Sequence, residues 1–170
     1  MGRKYTAELT QQAVTVANGD VDLIKIKAPT DKCVKILSAF VGQSSDAGDA
    51  FAQMITARLL RATGTVTENA GSAITPAKHE FGDAAASSTV TGFNATVIAV
   101  GTGVLTPILD ETWNAQAGWY YTPTPEEAIV LAPTVGTALS ILALQIPVAI
   151  PAVGDSALTV TARITFEEIG

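Results

Sequence analysis

From Leu158 to Glu167 apolar and polar residues alternate without a slip. Leu158, Val160, Ala162, Ile164 and Phe166 make one set, and Thr159, Thr161, Arg163, Thr165 and Glu167 the other. Period two is the spacing of a strand with one buried and one wet face. A helix would set Leu158 and Val160 roughly 200° apart, so the segment cannot bury its apolar set as a helix. The chain is therefore committed to at least one sheet.

Other segments repeat the pattern. Phe93, Ala95, Val97 and Ala99 alternate with Asn94, Thr96 and Ile98, which predicts another strand. Val21-Asp22-Leu23 and Ile24-Lys25-Ile26-Lys27 alternate too, but the phase flips between Leu23 and Ile24, which a β-bulge would absorb. Pro29 with Asp31 marks the turn that follows. Cys33 to Val41 and Leu139 to Val148 are apolar on both faces, as central strands are. Phe51, Met54, Ile55 and Leu59 fit helical spacing, with Asp49 as cap and Gly64 as stop, yet Ile55 to Arg61 also fits a strand. The neighbouring strands of similar length favour strand.

Turn signals separate these runs: Asn18-Gly19-Asp20, Ser44 to Asp49, Asn69 to Ser72, Gly101-Thr102-Gly103 and Val153-Gly154-Asp155. Short strands punctuated this way predict an all-β fold, an antiparallel β-sandwich of about eight strands, jelly-roll-like. Arg61 to Ser88 is polar, small and poorly patterned, and is expected to be a long mid-chain loop. Residues 13–170 are expected to form a single sandwich domain. Residues 1–12, with basic Arg3 and Lys4, then Tyr5 and Leu9, read as a frayed tail or as an arm that orders on a partner.

Composition excludes several functions. Of 170 residues, 48% are apolar and 15% charged, enough to bury a core. The net charge of −6 argues against a non-specific nucleic-acid binder, which needs a basic face to displace counterions. Charge is also lopsided: residues 1–78 hold nine of the ten Lys/Arg with seven acids, and residues 79–170 hold only Arg163 with nine acids. A dipolar molecule can pack head to tail or against a charged partner. Met1 to Glu8 lacks the apolar run of a secretory signal. The uncharged stretches Ala84–Leu109 and Ala128–Gly154 raise the question of a membrane span. The first is rich in Thr, Ser, Asn and Gly, and the second is interrupted by Pro133, Gly136, Pro147 and Pro151, so both read as strands with neutral faces.

Chemistry-bearing groups are sparse. A single Cys, Cys33, forms no intrachain disulfide and no multi-Cys zinc site, and it reads as a small buried hydrophobe. The single His, His79, stands beside Glu80 and reads as solvated surface. Ser44 to Asp49 offers hydroxyls with Asp46 and Asp49, but lacks the further carboxylates of a full calcium loop and reads as a turn. The pairs Asp110-Glu111 and Glu126-Glu127 are sequence neighbours, whereas a glycosidase sets its acids across a cleft. Gly101-Thr102-Gly103 lacks the spacing of a phosphate loop. No enzyme activity, cofactor or metal site is expected.

The aromatics are more pointed. Trp113 and Trp119-Tyr120-Tyr121 fall within nine residues and lead into Thr122-Pro123-Thr124-Pro125. Strand alternation would bury Trp119 with Tyr121, or Tyr120 alone. Tyr and Trp combine an apolar body with a polar tip and anchor interfaces well, and the prolines lower the entropy cost of docking. Core packing, a protein interface and a carbohydrate-stacking platform on Trp113 and Trp119 all fit.

Three segments carry a family likeness: Phe40 to Ala50, Gly118 to Glu127, and Thr161 to Glu168. Together they resemble small all-β virion proteins of tailed bacteriophages, of the kind that decorate or cement the head. The resemblance implies a homotrimer seated on the capsid surface, with the major capsid protein as partner, a virion location after synthesis in the host cytoplasm, and no catalytic motif. It also favours the strand reading of Gln53 to Arg61. Under it, the expected interface residues are Arg3, Lys4, Tyr5, Trp113, Trp119, Tyr120 and Tyr121, with neither nucleic acid nor membrane as partner. A neck, tail or fibre-base component, or a carbohydrate-binding sandwich, are the alternatives.

Overall fold

A computed structural model describes residues 2–14, 20–44, 54–69, 71–114, 117–147 and 158–170. Regular structure among them is all strand: β1 (Arg3–Val14), β2 (Val21–Lys27), β3 (Cys33–Gln43), β4 (Met54–Gly64), β5 (Val66–Thr67), β6 (Ala77–Lys78), β7 (Thr89–Thr91), β8 (Ala99–Val100), β9 (Val104–Asn114), β10 (Trp119–Tyr121), β11 (Val130–Leu131), β12 (Leu139–Ile146) and β13 (Leu158–Ile169). No helix among the described residues is long and apolar enough to cross a membrane.

Eight of these strands build the sandwich. The first sheet runs β10-β3-β13-β1 and the second β2-β12-β4-β9. Antiparallel pairing is nested: β1 with β13, β2 with β12, β3 with β10, and β4 with β9. A ribbon of paired strands has rolled up, and the lateral pairs β3·β13 and β4·β12 close each sheet. This is jelly-roll order, as the turn spacing anticipates.

Alternation decides what lies between the sheets. Tyr5, Ala7, Ile36, Val41, Ala162, Ile164 and Phe166 point in from the first sheet. Leu23, Ile24, Ile26, Ile55, Ala57, Leu59, Leu142 and Leu144 meet them from the second. The bulge expected in β2 is present: Ile24 faces Leu144 and Asp22 faces Gln145, so Leu23 is the extra residue. Strand β12 is covered on both faces, because Leu142 and Leu144 enter this core while Ile141 and Ala143 enter a second one.

That second core lies under the segment between β4 and β9. Leu60, Ala62, Val66, Ile98, Ile141 and Ala143 form it. The small β5·β8 pair lies in this covering segment. Below it the Lys25 ammonium has all three donors engaged: the Glu68 carbonyl at 2.6 Å, the Asn69 carbonyl, and Asp22 Oδ2 at 3.3 Å. Asp22 also accepts from Gln145 Nε2 and from the Ile98 amide. A buried charge is tolerated only when paired and hydrogen-bonded like this.

Three expectations need correction. Residues 1–12 are not an arm: β1 pairs with β13 from Arg3 to Val14, and Tyr5 and Ala7 are fully buried. Basic Arg3 and Lys4 obscured the alternation that starts at Tyr5. Phe93 to Ala99 is not a strand beyond the single Asp22–Asn94 bridge and β8. Side chains capture its backbone instead, Asp22 taking the Ile98 amide, Asn94 the Thr96 amide and Asn69 Nδ2 donating to the Val97 carbonyl. The segment 61–88 is only partly loop, since Arg61 to Gly64 completes β4. Within it β6 adds to the edge of β1, and β7, which starts at Thr89, adds to β2, so this stretch ties the two sheets together. The strand reading of 54–62 holds; residues 51–53 lie outside the described set.

Candidate interface surface

The outer face of the first sheet collects the wet positions of β1, β3, β10 and β13. Register sets them in rows. Tyr120 stands opposite Phe40, Phe40 opposite Arg163, and Arg163 opposite Glu8. The Phe40 and Tyr120 rings are 4.7 Å apart between centroids and tilted 40°. The Arg163 guanidinium carbon stands 5.7 Å from the Phe40 centroid, within cation–π range.

Two glycines make this arrangement possible. A Cβ at Gly42 would sit 2.5 Å from Cζ of Phe40, and one at Gly118 would sit 3.3 Å from Cε2. The tip of the ring therefore occupies space that a side chain at Gly42 would need. Gly118 is needed twice, because its φ of +72° lies in the left-handed region. The outcome is a fixed aromatic–cation cluster, with Tyr120 64% exposed at its end.

The next rows are polar. Thr6 Oγ1 lies 3.1 Å from Thr165 Oγ1 and 2.8 Å from His79 Nε2. Beyond them Glu167 stands between Lys35 and Lys4. Lys4, Lys35 and Arg163 against Glu8 and Glu167 leave this face cationic, on a chain of net charge −6. No other described strand pairs across it; the remaining strands join at the edges.

The expected interface residues scatter. Tyr120 is on the face and Lys4 is on it, while Arg3 is at the rim beside Asp83, 3.5 Å away. Tyr5 is not on the surface at all; its ring packs 5.6 Å from that of Phe166 in the core. Trp113 and Trp119 are only 8% and 4% exposed. Trp119 Nε1 donates to Glu111 Oε2 at 2.6 Å, and its ring stacks on half-buried Tyr121 at 6.5 Å. The two Trp therefore cannot form a carbohydrate platform, because their faces are spent on packing between sheets. Among the described residues, Trp113 Nε1 is buried with no hydrogen-bond partner.

The remaining polar candidates serve the fold. Asp110 pairs with Arg58 at 2.7 Å, and the Glu127 amide closes a turn on the Thr124 carbonyl. Cys33 is half-buried opposite Ile169, while His79 bonds Thr6 at the other edge of the sheet. Asp46 and Asp49 lie outside the described residues. Among the described residues no three His, Cys, Asp or Glu cluster as a metal site would require.

Sequence reading missed Phe40, Arg163 and Glu8. The signal was present for Arg163, which falls in the wet set of β13. Phe40 was hidden because Cys33 to Val41 reads as apolar on both sides. Fold and face together define a jelly-roll sandwich that presents one ordered, half-exposed sheet surface. No protein-family model, curated protein or solved structure matches this chain.

Proposed function

We propose that the chain is a structural virion protein that binds the outer surface of a tailed-phage capsid and reinforces the shell, acting as a homotrimer with the major capsid protein as partner. The observation that carries this reading is the Tyr120–Phe40–Arg163 cluster on an open sheet face. Tyr and Arg dominate the energetics of protein interfaces, and a cluster already held in place loses little entropy on docking. The sequence resemblance to head decoration proteins supplies the partner. Each subunit would bind the lattice weakly. A trimer engaging several sites gains roughly 10²–10⁴ in avidity, and ligation of the assembled shell alone stabilises it by mass action.

The test uses stripped shells of a phage that encodes this chain. Wild-type protein is expected to load to saturation and to sediment as a trimer. Tyr120→Ala and Arg163→Ala are each expected to weaken loading about tenfold or more, as hot-spot residues do, with an unchanged melting temperature. Wild-type protein that stays off the shells, or variants that load as wild type does, would overturn the reading.

A further inference from the structure

Two uncharged stretches of the sequence, 84–109 and 128–154, send segments to one corner of the sandwich. There Gly64 pairs with Leu139, and Thr63 pairs with Val104. Glycine lets the backbones close up. A Cβ at Gly103 would lie 2.4 Å from the Thr63 carbonyl oxygen, and the Gly103 amide donates to the Thr65 carbonyl at 2.8 Å. The turn Val135–Ala138 leads straight into β12. Thr134 pins that turn, its hydroxyl donating to the Ala28 carbonyl at 2.7 Å and its amide to the Pro29 carbonyl at 2.9 Å. Residues 62–67, 99–109 and 132–140, which build the corner, include no charged side chain. Yet Val100, Val104 and Val135 are each more than half exposed on it. Three such side chains on one corner differ from apolar residues scattered singly over a surface. The bordering acids are held elsewhere, Glu68 by Lys27 at 2.9 Å and Asp110 by Arg58 at 2.7 Å. Exposed Arg61, opposite Thr106, marks the margin.

We propose that this corner is where copies of the chain meet, about the axis of the homotrimer, a proposal that rests on the trimer in the reading above. Around a closed symmetry axis, the residues nearest the axis meet their own equivalents. A charged side chain there would face its own sign, at a cost that rises as water leaves. The net charge of −6 already sets copies against each other. A surface free of charge is therefore where this chain can meet itself, and valine against valine gains from leaving water. A different protein imposes no such condition, because a charge on one partner can be met by the opposite charge on the other. The charged rows beside Tyr120 suit that kind of partner instead.

Equilibrium sedimentation of the full chain tests the corner, with Val135→Lys, Val104→Lys and Val104→Thr beside wild type and circular dichroism to follow the fold. Val135 is 73% exposed, so a lysine there leaves the fold intact. Each lysine variant is expected to weaken trimer association about tenfold or more, and high salt to restore part of it by screening the like charges. Val104→Thr, which adds no charge, is expected to remain trimeric. Lysine variants that associate as wild type does would overturn the corner and leave the shell reading standing. Lysine variants that stay trimeric but no longer load stripped shells would make the shell protein the occupant, and the proposal fails. A wild type that is monomeric at every concentration removes trimer and corner together, while its loading on shells decides the shell reading separately.

Discussion

Lys25 Nζ lies 3.3 Å from Asp22 Oδ2, and neither side chain reaches water. The two residues are three apart on β2, and both point away from the main core into the layer beneath the segment 65–103. This pair fastens that segment to the second sheet.

Removing the ammonium tests the fastening. Lys25→Met keeps the aliphatic stem but leaves the Asp22 carboxylate buried without a countercharge. The expected loss is about 3–5 kcal/mol, measured by urea denaturation, because breaking one partner of a buried pair strands the other. A loss under about 1 kcal/mol would mean that water reaches Asp22, as at a surface pair.

Asp22 also sets a pH dependence. Burial raises its pKa above 3.8, and Gln145, Lys25 and the Ile98 amide offset this only in part. A carboxyl whose folded pKa exceeds its unfolded one takes up a proton on folding. Its contribution is complete below the unfolded pKa and fades as pH rises through the folded one. The stability of wild type relative to Asp22→Asn is therefore expected to rise from pH 7 towards pH 4. A relative stability that falls on acidification would show the carboxylate to be stabilised in its charged form.

The first strand offers a third test. Tyr5→Ala empties a fully buried site against Phe166, and about 3–5 kcal/mol is expected, as for other large aromatic truncations. Deleting residues 1–12 removes most of β1 and uncovers the edge of β13. That truncation is expected to lose cooperative thermal unfolding, read by circular dichroism. A truncated chain melting as wild type does would restore the arm.

The two indoles should respond differently to Phe. Trp119→Phe forfeits the bond to Glu111, worth about 1.5–3 kcal/mol for a charged acceptor, plus ring area. Trp113→Phe removes a buried donor that has no partner among the described residues, which offsets its lost area. Trp113→Phe is expected to cost about 1 kcal/mol or less, and clearly less than Trp119→Phe. The reverse order would place an acceptor on Trp113.

Much of the fold was legible in short segments. The alternation of Leu158 to Glu167, the flip at Leu23, and the two-sided apolar run from Leu139 became β13, the β2 bulge and the doubly covered β12. These are local properties, since successive side chains on a strand point to opposite faces whatever it pairs with. Phe93 to Ala99 shows the limit. Its alternation is as good, but Asp22 and Asn69 claim the amide and carbonyl that a ladder would need.

The face was harder to read than the strand. Alternation separates Trp119 from Tyr120, yet says nothing of which side is dry. That depends on β10 joining β3 at the margin of the first sheet, which turns Trp119 inward and sets Tyr120 against Phe40. Tyr5 is buried for the same reason, through its register with β13. The chain by itself determined the period-two faces of strands such as β13 and β2, because those follow from backbone geometry and neighbouring side chains. Only the tertiary structure decided which face met the core, what covered Lys25, and which aromatics stayed in water, because burial is conferred by residues distant in sequence.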